Sequence, residues 1–188
     1  MIAILWWTLY GAWIASELLA VAMTRTRKST GTVEDRGSML VLWVVIVGSI
    51  TLSTWYGETH GPNMPVSLGG MRALALGVFT VGLAIRWTAI VQLGRSFSVN
   101  VAIRADQTLH RTGLFAIVRH PSYTGMMILF AAIGIRTGNW IAIALLLIPT
   151  AAAVLYRIHV EEAALRRAFG TEYGEYSRAT KRLIPGLY

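Results

Sequence analysis

The run Arg119-His120-Pro121-Ser122-Tyr123-Thr124-Gly125 opens the stretch that sets the architecture. An apolar block, Ser122–Ile135, leads to the break Arg136-Thr137-Gly138-Asn139, and a second apolar block, Trp140–Tyr156, follows. Proline suits the first position of a helix, where its missing N–H costs no hydrogen bond. Two apolar blocks separated by a short polar break read as a helical hairpin, its first arm short for a full bilayer crossing. The polar run stands at the mouth of that hairpin. Nothing in lipid contact asks for ionisable groups there, so this is where chemistry is expected.

The same pattern recurs upstream, in the apolar blocks Ile2–Met23, Met39–Tyr56 and Met71–Leu93. Of the 188 residues 55% are hydrophobic and only 14% charged, against about 25% charged in a soluble domain. The expected fold is therefore all-α and membrane-integral. It has five transmembrane helices, at about 2–23, 39–56, 71–93, 122–135 and 140–156, in a single domain over 1–188. The net charge of +8 points to anionic lipid rather than nucleic acid, because the basic residues lie between apolar blocks. Arg25, Arg27, Lys28 and Arg36 follow the first block, and Arg95, Arg104, Arg111 and Arg119 follow the third. Between the second and third only Glu58 intervenes before Arg72, and the hairpin turn carries Arg136 alone. This alternation puts the N-terminus outside and the C-terminus in the cytoplasm; a short chain without retention signals makes a plasma or inner membrane the expected location. The loop from residue 94 and the C-terminal segment then share one side and can meet.

Beyond Tyr156 the chain turns amphipathic. Ile158, Leu165, Ala168 and Phe169 mix with Arg157, Glu161, Glu162, Arg166 and Arg167, and Gly170 is the expected stop. Arg157 and Glu161 are one turn apart and can pair, as can Glu162 and Arg166. Arg157 and Glu161 stand at the membrane boundary, where charges face a cavity or each other. Arg86 inside the third span snorkels, meets a buried partner or lines a substrate path; Glu17 in the first is similar, its simplest reading a helix-to-helix hydrogen bond. The start of the fourth helix, ringed by His120, Ser122 and Tyr123, either caps and anchors that helix or binds a carboxylate or phosphate. Cysteine is absent, which excludes disulfides and thiolate chemistry. The four histidines lack metal-ligand spacing, so no metal is expected.

At these residues the sequence resembles the isoprenylcysteine carboxyl methyltransferase family of membrane enzymes and, more distantly, the phospholipid N-methyltransferases. The resemblance is carried by Gly94-Arg95-Ser96-Phe97-Ser98, Thr112-Gly113-Leu114-Phe115, the Arg-His-Pro-Ser-Tyr-Thr-Gly run, Glu161-Glu162-Ala163-Ala164-Leu165, Phe169-Gly170-Thr171-Glu172-Tyr173 and Leu183-Ile184-Pro185. It implies a cytoplasmic pocket for S-adenosylmethionine, built from about 94–125 and 157–185 beneath the hairpin. Carried onto matching positions, cofactor contacts fall on Asn100, Gln107, Thr108, Leu109 and His110. They continue at Phe115 (where the family often has Tyr), His120, Pro121, Ser122 and Tyr123. Glu161 would hold a polar end of the cofactor, and Arg157 would face the substrate; these two are the catalytic candidates.

The implied partner is a lipophilic or lipidated substrate entering from membrane lipid. A carboxylate acceptor needs only a cation such as Arg157 to orient it, whereas an amine must lose a proton, for which Glu161 or His120 is placed. Carboxylate, amine and thiol acceptors stay open at this point. Two other readings compete: an NADPH-dependent, sterol-reductase-like enzyme, and a non-catalytic membrane scaffold with a basic face.

Overall fold

The computed structural model describes residues 1–24, 31–33, 37–97, 102–104 and 108–188. Among the described residues five α-helices carry the fold: α1 (Ile2–Thr24), α2 (Ser38–His60), α3 (Leu68–Leu93), α4 (Pro121–Thr137) and α5 (Trp140–Ala179). Four of them, all but α4, are long and apolar enough to cross a membrane. This is a multi-pass membrane protein. Long apolar segments become helices because hydrocarbon offers no partner to a backbone N–H or C=O. At 17 residues α4 is about 26 Å long, a little short of a hydrocarbon core of about 30 Å.

The helix ends differ from the expected ones for local reasons. The second helix runs on to His60, where Gly61 at φ 67 ends it, and the third starts at Leu68 because Ser67 accepts a hydrogen bond from the Gly70 N–H. The amphipathic tail is no separate helix: α5 continues from the apolar block through the charged residues beyond Tyr156. Gly170, the expected stop, interrupts α5 with φ 51 and ψ −121, and the chain then winds again to Ala179. Three residues, Gly31–Val33, pair antiparallel with Ala102–Arg104; the all-helical expectation did not include this short ribbon.

In the bundle α3 packs most extensively on α4, α2 on α5, and α4 on α5, so the expected hairpin is present. The crossing of α3 and α4 depends on Gly82 and Gly125. A Cβ on Gly125 would stand 2.7 Å from the Arg86 backbone nitrogen and 2.8 Å from the Gly82 carbonyl oxygen. Small residues let membrane helices approach this closely. Helix α1 rests on α3 through aromatic rings, with Phe79 centroids 5.0 Å from Trp6 and 6.0 Å from Trp13. At the far end the hairpin turn is tied to the α2–α3 loop. Asn139 caps α5 through Ile141 and Ala142 N–H groups and donates to the Gly61 carbonyl at 2.7 Å.

Candidate functional site

Where all five helices converge with segment 108–116, they line a cavity of about 160 Å³. Its polar part is built from three stretches. Pro121 begins α4 with His120 as its N-terminal neighbour, which puts Ser122 and Tyr123 on the first turn. The short helical turn Gly113–Ala116 buries Phe115. It is fixed by the Tyr176 hydroxyl donating to the Phe115 carbonyl at 2.6 Å and by the Leu114 N–H donating to Gln92 at 3.0 Å. The third stretch is α5, which supplies Arg157 and Glu161.

Thr108, Leu109, His110, Phe115, His120, Pro121, Ser122, Tyr123, Arg157 and Glu161 all line this cavity. Asn100 and Gln107 lie outside the described residues. The His110 ring stands edge-on to Phe115, 5.1 Å between centroids. Tyr123 is placed between the two α5 candidates: its hydroxyl donates to Glu161 at 3.0 Å and accepts from Arg157 Nε at 3.3 Å. Arg157 also donates to Ser38 Oγ of α2 at 2.6 Å and is 2% exposed. A cation that deep is held for a reason other than solvation.

Glu162 departs from its expected partner, Arg166. It turns inward to Arg119 at 3.0 Å, Arg182 at 3.0 Å and His120 Nε2 at 3.4 Å, while the Arg166 guanidinium lies over the Tyr173 ring. The hydrogen bonds from Arg182 to Glu162 hold its guanidinium above its ordinary value. The segment after α5 is bound alongside: Arg119 N–H donates to the Lys181 carbonyl and His120 N–H to that of Arg182. Glu162 therefore organises the wall of the site, a role invisible to i,i+4 spacing because its partners are 20 to 43 residues away. The buried Tyr173 hydroxyl has no hydrogen-bond partner among the described residues.

Arg86 and Glu17 resolve each other. Arg86 Nε and Nη2 grip the two carboxylate oxygens of Glu17, and Nη1 donates to Ser122 Oγ at 2.9 Å. Trp13 Nε1 donates to the same carboxylate at 3.0 Å. The pair lines the cavity too, and beyond it the lining becomes apolar, with Trp13, Leu42, Ile46 and Met126. Sequence patterning gave these apolar residues no role beyond span-forming, and no motif distinguishes them from lipid-facing ones.

The pattern of the Isoprenylcysteine carboxyl methyltransferase (ICMT) family matches residues 74–167, half of the chain. The chain belongs to this family. A Schizosaccharomyces pombe protein-S-isoprenylcysteine O-methyltransferase is 36% identical over 113 residues, 59% of this chain and 48% of the relative. The cobalt-zinc-cadmium resistance protein CzcN of Cupriavidus metallidurans is 28% identical over 149 residues, 78% of this chain and 63% of that protein. The solved structure of a eukaryotic intramembrane Ras methyltransferase of the ICMT family superposes with a TM-score of 0.57 at 25% identity. The match covers 77% of this chain and 52% of that one. The chain thus spans about half the length of the isoprenylcysteine methyltransferases it matches. All of the described cavity candidates named above lie inside the ICMT match, whereas Glu17, Leu42 and Ile46 lie outside it.

Proposed function

We propose that this ICMT-family protein is an integral membrane methyltransferase that takes its methyl group from S-adenosylmethionine. The acceptor is a lipophilic molecule with an isoprenylcysteine-type carboxylate. One observation carries the reading: a single cavity joins a polar end, with His110, His120, Tyr123 and Glu161, to an apolar end, with Trp13, Leu42, Ile46 and Met126. A polar cofactor and a lipid tail need such adjoining surroundings.

The residues at the polar end fit the cofactor. Glu161 offers a carboxylate to an ammonium group, Phe115 and Leu109 offer apolar surface to a flat base, and the buried Tyr173 hydroxyl lines the same cavity. When bound, S-adenosylmethionine supplies a sulfonium methyl already activated for in-line displacement. Arg157 then orients the acceptor carboxylate, which is itself the nucleophile and needs no general base. The buried walls exclude water, and positioning makes up most of the remaining barrier reduction. Tyr123, bonded to both Arg157 and Glu161, fixes the spacing of the acceptor-facing and cofactor-facing groups.

In this reading α4 completes a five-span bundle, with the N-terminus outside and the cavity at the cytoplasmic side of a plasma or inner membrane. The test is calorimetric titration of the detergent-purified protein with S-adenosylhomocysteine. Saturable binding is expected, with its loss in Glu161→Gln. A folded protein that binds no S-adenosylhomocysteine overturns the reading.

A further inference from the structure

The Glu17–Arg86 pair has no place in the mechanism above, yet both residues are buried and line the cavity. Each is seven residues from the end of its helix, Thr24 or Leu93, hence about 10 Å below that end. Desolvating two charges at such depth costs more than a neutral contact, so stability alone is a poor reason for the pair. What it supplies is geometry. Arg86 Nε and Nη2 grip both carboxylate oxygens of Glu17, Nη2 at 2.6 Å, and a two-point grip fixes the plane of a guanidinium. Trp13 Nε1 steadies the same carboxylate at 3.0 Å, and Trp87 Nε1 donates to Ser16 Oγ at 3.1 Å as a second tie between α1 and α3.

The remaining nitrogen, Nη1, is thereby aimed at the first turn of α4. It donates to Ser122 Oγ at 2.9 Å and to the Ser122 carbonyl at 3.3 Å. With an arginine N–H on its oxygen, Ser122 keeps its own hydroxyl proton to donate, and that proton has no acceptor among the described residues. The side chain lines the cavity beside His120 and Tyr123. We infer that Glu17 is a positioning residue: through Arg86 it fixes the first turn of α4 and holds the Ser122 hydroxyl as a donor to the ligand of the cavity. Without the Glu17 charge, a guanidinium on a long stem moves toward the head groups, and the Ser122 contact goes with it. Glu17 lies on α1, upstream of the ICMT match at residues 74–167, so a helix outside the matched segment sets one wall of the site.

The inference rests on the function proposed above only in naming S-adenosylmethionine as that ligand, and its first readout needs no ligand. Hydrogen–deuterium exchange is followed by mass spectrometry on the detergent-purified full chain, as parent, Glu17→Gln, Ser122→Ala and the double variant. In Glu17→Gln the amides of residues 122–126 are expected to exchange about tenfold faster, while residues 132–137 at the other end of α4 keep the parent rate. S-adenosylhomocysteine affinity, read by calorimetry, is expected to fall about tenfold as well. In the Ser122→Ala background both effects of Glu17→Gln should shrink to about twofold or less, because only the longer contact to the carbonyl is left to lose. Faster exchange along the whole of α4, or equal effects with and without the Ser122 hydroxyl, assigns Glu17 to general stability and overturns the inference. Unchanged exchange at 122–126 or unchanged affinity in folded Glu17→Gln overturns it too. A parent protein that binds no S-adenosylhomocysteine sinks the proposed function instead, and the exchange rates then decide this inference alone. Should Glu17→Gln not fold, Glu17→Asp keeps the charge but withdraws the carboxylate by one methylene. A smaller rise in exchange confined to 122–126 is then expected, and no rise overturns the inference.

Discussion

Glu162 is the residue on which most of the polar wall depends. Its side chain is 4% exposed and serves Arg119, itself 8% exposed, together with His120 and Arg182. Removing its charge leaves a buried guanidinium uncompensated, which costs far more than a surface pair. Glu162→Gln is expected to destabilise the protein by about 3 kcal/mol, read as a lowered Tm in detergent. Arg182→Ala, at a side chain one-third exposed, is expected to cost about 1 kcal/mol or less. Arg157 behaves differently, since in the proposed function its buried charge orients the acceptor. Arg157→Ala should lower turnover by about a hundredfold while S-adenosylhomocysteine affinity changes little, a split measured by pairing steady-state kinetics with calorimetry. Comparable losses in both would assign Arg157 to the cofactor instead.

Among the elements, α3 and α4 form the frame that fixes the start of α4, and their contact has no room for a side chain. Gly125→Ala puts a Cβ 2.7 Å from the Arg86 nitrogen, so one helix must move. We expect a loss of about 1–3 kcal/mol and weaker S-adenosylhomocysteine binding, because Ser122 and Tyr123 sit on the same helix. Gly174→Ala, with nothing within 4 Å of the added atom, is the matched control and should leave Tm unchanged. At the opposite end, Asn139→Ala removes the cap of α5 and the tie to Gly61. That change should lower stability by about 1–2 kcal/mol without altering cofactor affinity, since the turn is a hairpin's length from the cavity.

For the whole molecule the central expectation is sidedness, and the absence of cysteine makes it directly measurable. Single substitutions Pro65→Cys and Arg178→Cys, treated with a membrane-impermeant thiol reagent on intact cells, should label only at position 65; labelling at 178 alone would invert the topology. The helices and the hairpin were legible because long apolar blocks in lipid have one backbone solution, and a proline, a glycine or an asparagine marks their ends. The site was legible in part, through the polar run at 119–125 and the Glu-Glu pair, since ionisable groups beside apolar blocks need a cause. Local spacing misread Glu162, pairing it with Arg166 when its partners are Arg119, His120 and Arg182. It expected a helix-to-helix bond for Glu17 and allowed Arg86 a buried partner, but could not match the two, which 69 positions apart form one buried pair. Periodicity speaks only to neighbours on the same helix. Which charge answers which across the bundle depends on how closely the helices approach, and that approach is set by Gly82 against Gly125 and by Trp13 against Phe79. The sequence by itself determined the elements and the kind of chemistry; only the tertiary structure decided that Arg86 is occupied and that Arg157 stands beside Tyr123 and Glu161, because those contacts exist only once the helices have met.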